Sequence, residues 1–330
     1  MTQASAGPVF IGELVKHFRD HELIDSGEEG RAHSTRKRIG SVLSRWILPR
    51  WQATRISDVR TVDVEHWLRS LTLARGTKAK IRKNFNLLFN HAIRWEFATR
   101  NPISGPVRGS GVRQSEKRER IPEILSLEEF RTLEVALRPR ERVLVCLAFS
   151  LGLRRGELAA LRWRDIDFKG LTITVERSLV DQVVGRTKTE ASQRPLPMDP
   201  RIATLLLRWR SISKYVDSED YLFATDSNRA GGKRGKQPVW LAKILTHHIQ
   251  PVARAVGIRK NIGWHTLRRC FATSLLRNGE EIKVAQELLR HSSCRITLDL
   301  YAQAVSEDKR KAQSRVVAEF VPELSSESGA

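Results

Sequence analysis

Apolar residues recur every three or four positions along much of the 330-residue chain, the period of a helix with one buried face. Val9–Phe18 sets Phe10, Leu14 and Phe18 four apart. From Ser34 a stripe of Ile39, Leu43, Trp46 and Ile47 predicts a second helix, which Pro49 should stop. Thr61 is a candidate cap for a short helix with Val64, Trp67, Leu68 and Leu71 inward. The most regular run, Thr77–Trp95, places Ile81, Phe85, Leu88, Phe89, Ala92 and Ile93 on one face. After Asn101-Pro102 the pattern lapses. Residues 104–120 (SGPVRGSGVRQSEKRER) mix glycine, proline and charge without apolar periodicity, as a linker does.

Periodicity resumes at Ser126-Leu-Glu-Glu129, a capping-box pattern with Leu127, Phe130, Leu133 and Leu137 as its apolar stripe. An apolar helix over 141–151 and another from Arg155 follow. The period then changes to two: Leu171, Ile173 and Val175 alternate with polar residues. With Val183-Val184-Gly185 and Arg194–Pro197, they predict one small antiparallel sheet in a helical domain. Helices are expected again at Pro200–Ser213, Val239–Val256, Thr266–Arg277, Glu280–Leu289 and about Cys294–Ala304. The fold class read from this pattern is mainly α with a small antiparallel β-sheet. The boundaries are 1–103 for a helical N-terminal domain, 104–125 for a basic flexible linker, 126–321 for a second domain and 322–330 for a disordered tail.

Charge narrows the choice of partner. Lys and Arg number 58 against 37 Asp and Glu, a net charge of +21 with a pI near 10.6. Residues 1–120 hold 23 basic and 12 acidic residues and the remainder 35 and 25, so the excess is not a detachable tail. Both halves are expected to touch one polyanion, and nucleic acid fits better than a merely soluble surface. Lys78, Lys80, Arg82 and Lys83 crowd the start of a helix, where they oppose its dipole and nearby phosphates would relieve them. A solvated lysine-rich helix start is the alternative. Arg113, Lys117, Arg118 and Arg120 in the linker could track a DNA backbone or simply keep it soluble.

The longest apolar stretch, Val143–Leu153, is too short to span a bilayer. The opening MTQASAGPVF lacks the basic start and apolar core of a secretory signal, and no membrane partner is expected. Three cysteines cannot build a disulfide framework and suit a reducing cytoplasm. His291 and Cys294 lie three apart with no second pair nearby, so no metal site is assigned.

Four short segments carry candidate chemistry. Arg154 and Arg155 adjoin Glu157 in LGLRRGELAALRWRDID. Lys188 sits in Thr187-Lys188-Thr189, the polar tip between two expected strands. His265 and Arg268 in HTLRR share a helix face at i and i+3. His291 and Tyr301 end LLRHSSCRITLDLY. Taken singly, each has an ordinary structural explanation: a helix-start salt bridge, a hairpin tip, a surface pair. Together and in this order, they resemble the tyrosine recombinase (phage integrase) family. The N-terminal half, ending in LFNHAIRWEF and RNPI, is similar to that family's helical core-binding domain, and the resemblance spans roughly residues 8–320.

The resemblance implies a four- or five-helix core-binding module before a mostly helical catalytic domain, the two forming a C-shaped clamp on duplex DNA. It implies that Tyr301 attacks a phosphodiester to give a 3′-phosphotyrosyl link and a free 5′-hydroxyl. Strand exchange by four protomers on two duplexes then passes through a Holliday junction, with a monomer expected off DNA. The bond energy is kept in the phosphotyrosine, so neither ATP nor a metal is implied as cofactor. Arg154 and Arg268 would clamp the phosphate, because fixed guanidiniums suit the extra negative charge of a pentacoordinate phosphorus. His265 would act as general base, Lys188 as general acid, His291 as a donor to a phosphate oxygen, and Glu157 as the group orienting Arg154 or its neighbours. A cytoplasmic, nucleoid-associated enzyme that integrates or excises a mobile element follows from the same resemblance. A type IB topoisomerase and a non-catalytic DNA-binding regulator are the rival readings.

Overall fold

The computed structural model describes residues 7–25, 27, 30–105, 110–113, 123–186, 195–226 and 234–301. The chain divides into two compact units, Met1–Ile121 and Pro122–Ala330.

In the first unit, α1 (Ile11–Glu22) buries Ile11, Leu14, Val15 and Phe18. α4 (Thr61–Ser70) and α5 (Arg75–Arg94) close the core, where Trp51, Trp67, Phe85 and Phe89 meet with ring centroids 5.4–6.2 Å apart. The expected face of α5 is buried except Ile93, which is exposed. Thr61 does not cap: it is the first helical residue, and its hydroxyl donates to the Pro102 carbonyl at 2.6 Å.

Pro49 does not stop its helix. α2 (His33–Val42) runs through a π turn, Leu43–Ile47, into α3 (Leu48–Trp51). The Leu48 N–H bonds back to the Leu43 carbonyl, five residues away, and this wider turn absorbs the residue that cannot donate and whose ring needs room. The second unit repeats the device, with a π turn at Leu245–Ile249 between α10 (Leu241–Ile244) and α11 (Gln250–Ala255), just before Pro251.

Residues 104–125, expected as a flexible linker, are packed at both described ends. Val112 is buried in the first core and its N–H bonds the Ile103 carbonyl, while Leu125 is buried in the second. The residues between them, 114–122, lie outside the described set.

The second unit opens with α6 (Leu127–Ala136), whose Ser126–Glu129 capping box is formed in both directions. Leu127, expected inward, is exposed. α7 (Pro139–Ser150) buries Val143, Leu144, Val145, Leu147 and Ala148 and so is the central helix. α12 (Trp264–Arg277) lies against it, and α14 (Cys294–Tyr301) lies against α12 and α13 (Ile282–Leu288).

Among the described residues, strands form two small antiparallel sheets rather than one. β1 (Ile166–Asp167), β2 (Thr172–Ile173) and β5 (Leu196–Pro197) pair in the order β1-β2-β5, with Ile173 opposite Ile166 and Leu196. β3 (Arg177–Val180) pairs with β4 (Val183–Arg186) around Asp181-Gln182, both at positive φ as a two-residue hairpin turn requires. Leu171, expected in a strand, is a turn residue at φ 48°. α8 (Arg155–Ala160) packs on β3 so closely that a Cβ on Gly156 would meet the Leu179 carbonyl oxygen at 2.8 Å. α9 (Pro200–Ile212) covers the core beyond the sheets.

Candidate active site

Three short segments of the second unit converge. The first is the turn from Gly152 into α8. Gly152 has φ 57°, and a Cβ there would meet Phe271 Cδ1 at 2.7 Å, so only glycine lets the chain turn this close to α12. Arg154 follows as the residue preceding α8. Its backbone N–H donates to Glu157 Oε2 at 2.8 Å and its Nη1 to Oε1 at 2.7 Å. The second segment is the start of α12, carrying His265 and Arg268. The third is Leu289-Arg290-His291, between α13 and α14.

The arginines stitch these segments together. Arg154 Nη2 donates to the Arg290 carbonyl at 2.9 Å. Arg268, buried, donates from Nη1 to the Gly152 carbonyl and from Nη2 to the Leu289 carbonyl. Two of its five N–H donors are thus committed among the described residues. His291 is buried, with Nδ1 2.9 Å from Thr297 Oγ1 and its backbone N–H on the Gln286 carbonyl at 3.0 Å.

Glu157 is the carboxylate at the centre of this group. Burial pushes its pKa up, but Arg290 and Arg154 together with the Arg154 N–H outweigh that and leave it lowered, hence ionised. Arg290, which no sequence signal singled out, donates from Nη2 to Glu157 Oε2 at 2.6 Å with its side chain 1% exposed. It sits inside the LLRHSS string, and its position beside His291 was the available clue. Two guanidiniums, those of Arg154 and Arg290, therefore contact one carboxylate, and a third, Arg268, lies near enough to feel its charge, a surplus of positive charge in a largely desolvated place.

That surplus acts on every neighbour. Arg268 is brought down to about 9 by burial and by Arg154, still charged at neutral pH. His291 is pushed down to about 4 by burial, Arg268, Arg154 and Arg290, and so is neutral near pH 7. His265 is open to solvent on one side, yet its partial burial and Arg268, Arg269, Arg155 and Arg154 lower its pKa too. A neutral imidazole can accept a proton. Excess positive charge beside two imidazoles whose pKa values are held down suits this place to an anion.

Tyr301 is the final residue of α14, ten positions after His291; its side chain lies outside what the structure describes, as does the whole of Lys188. The nearest described strands before and after Lys188, β4 and β5, belong to different sheets. Of the basic residues in the first unit, Lys80 and Lys83 are exposed. Lys78 Nζ donates to the Arg69 carbonyl and Arg82 Nη1 to the Val112 carbonyl, each at 3.2 Å. Arg113 is exposed and its backbone N–H bonds Glu65; Lys117, Arg118 and Arg120 lie outside the described residues.

A family profile described as the phage integrase family matches residues 121–307. The chain belongs to the phage integrase family. It is a tyrosine-type site-specific recombinase, an enzyme acting on DNA. Among its relatives is a tyrosine recombinase XerC-like protein of Caldanaerobacter subterraneus subsp. tengcongensis, 27% identical over 288 residues, 78% of this chain and 71% of the relative. Tyrosine recombinase XerA of Thermococcus onnurineus is 32% identical over 202 residues, 59% of this chain and 63% of that one. In fold the recombinase is similar to the integrase of transposon Tn1549, solved with circular intermediate DNA, at a TM-score of 0.70 and 20% identity, covering 94% of this chain and 100% of that one. It is similar also to lambda integrase, solved as a dimer on a COC′ core site, at a TM-score of 0.68 and 18% identity over 91% and 79% of the two chains. No helix among the described residues is long and apolar enough to cross a membrane.

Proposed function

We propose that this recombinase integrates or excises a mobile element by cleaving each strand with Tyr301, and that Arg154, Arg268 and His291 receive the scissile phosphate. The observation that supports this most is the cluster of Arg154, Arg268 and Arg290, two of them paired with Glu157, and Arg154 and Arg268 anchored to the carbonyls of the segment that leads into the helix of Tyr301. A dianionic pentacoordinate phosphorus gains most from donors already fixed in place, because they need no reorganisation as charge develops.

In this reading the Tyr301 oxygen attacks phosphorus and the bond to the 5′-oxygen breaks, leaving a 3′-phosphotyrosyl link. His265 takes the phenolic proton and Lys188 gives one to the departing oxygen. A 5′-hydroxyl from the partner duplex then attacks the link and releases Tyr301, and two rounds make and resolve a Holliday junction. The first unit serves as the core-binding domain and the second as the catalytic domain, together gripping duplex DNA. Monomers in solution become a tetramer on two synapsed sites, in the cytoplasm at the nucleoid.

A suicide substrate nicked within the attachment core tests the reading. Wild type should form a covalent protein–DNA adduct and Tyr301→Phe none. Adduct surviving in Tyr301→Phe would displace the assignment, and relaxation of supercoiled plasmid without recombinant products would favour a type IB topoisomerase.

A further inference from the structure

Arg290 combines two features that each cost free energy. Its backbone is left-handed at φ 51°, a conformation that disfavours a residue with a Cβ. Its guanidinium is buried beside two other arginines, and its Nε and Nη1 have no hydrogen-bond partner among the described residues. A surface arginine or a simple space-filler would account for neither.

The geometry explains both at once. The left-handed turn presents two successive carbonyls, Leu289 to Arg268 and Arg290 to Arg154. The side chain reaches Glu157 Oε2 at 2.6 Å, on the same oxygen that accepts the Arg154 N–H at 2.8 Å. One residue therefore holds Arg154 from both ends, through its own carbonyl and through the carboxylate that orients Arg154 Nη1. Without the Arg290 guanidinium, Glu157 loses the contact that, among the described residues, does not come from Arg154 itself.

We infer that Arg290 is a positioning residue of the recombinase, locking the Arg154–Glu157 pair in the orientation that meets the scissile phosphate. This rests on the proposed roles of Tyr301 and Arg154. Misplacement of a phosphate-clamping group by a fraction of its bond length slows chemistry while leaving most of the DNA contacts intact.

Three variants separate the side chain from the turn it sits on. Arg290→Gly keeps, and eases, the positive φ while removing the guanidinium; Arg290→Met keeps most of the volume; Arg290→Lys keeps a charge. Single-turnover cleavage of the suicide substrate should fall by about ten- to a hundredfold in the Gly and Met variants. DNA affinity should stay close to wild type, while the thermal midpoint falls in both because a buried guanidinium paired with Glu157 is removed. Arg290→Lys should recover part of the rate, and methylguanidinium added to Arg290→Gly should do the same. Wild-type cleavage in Arg290→Gly and Arg290→Met, with Tyr301→Phe inactive in the same assay, would overturn the role of Arg290 alone. Equal loss of cleavage and DNA binding in all three, without rescue, would also overturn it by marking a purely structural residue. Adduct in Tyr301→Phe would instead remove the reading beneath it.

Discussion

His291 is a histidine kept free of its proton by its surroundings. Burial and the three arginines hold its pKa near 4, whereas an unfolded chain releases that proton near 6.5. Between those values the unfolded state binds a proton that the folded state does not, so stability is full above about 6.5 and falls as the pH drops to about 4. The whole effect is on the order of 3 kcal/mol. Urea denaturation across this range should show the slope in wild type and a shallower one in His291→Gln; identical slopes would mean that His291 titrates normally. In the proposed mechanism the same positive field that expels the proton receives the scissile phosphate. On that reading Arg154→Ala and Arg268→Ala should slow cleavage by about a hundredfold or more while changing DNA affinity far less, since they would meet charge that develops in the transition state. Matched losses in cleavage and affinity would reduce both to ground-state binders.

At the level of elements, the site depends on how closely α12 approaches the turn before α8, and Gly152 sets that distance. Gly152→Ala adds a Cβ 2.7 Å from Phe271 Cδ1 at a φ of 57°. The expected cost is about 1–3 kcal/mol, read as a lower urea midpoint for the second unit, with slower cleavage because the carbonyl that holds Arg268 moves. An unchanged midpoint would show that α12 yields freely. Gly152 was legible only as part of a motif, since a positive φ is set by what packs around it. Helical periodicity exposed the long helices well: α5, α7 and the capping box of α6 stand where the pattern puts them. Prolines misled. Pro49 reads as a stop by its chemistry, but the π turn that accommodates it depends on a core pressing Leu43, Ile47 and Trp51 inward, which no local rule contains. Two-residue strands such as β1 and β2 are too short to show a period, so the split into two sheets was invisible. Arg154, His265, Arg268 and His291 were legible through motif order. Arg290 was not, because its importance comes from Glu157, which lies 133 residues away in sequence.

Across the whole molecule, the net charge of +21 exceeds what the site itself requires, and it is divided almost evenly between residues 1–120 and the rest. Charge spread in this way acts on the DNA backbone along its length, where binding is driven by release of condensed counterions. Lys80 and Lys83 are exposed on the first helical turns of α5, far along the chain from the chemistry and not needed to hold the core. Each phosphate contact contributes about 0.9 to the slope of log affinity against log salt. The double variant Lys80→Gln/Lys83→Gln should therefore flatten that slope by nearly two and weaken binding most at low salt. Adduct formation at saturating enzyme should remain near wild type, because neither lysine belongs to the pocket around Glu157. Fluorescence anisotropy with a labelled duplex across a salt series gives the slope directly. A slope equal to wild type would return the two lysines to ordinary solvated surface. A lost slope with slowed cleavage at saturation would mean that the first unit sets the register of the scissile phosphate as well as holding the duplex.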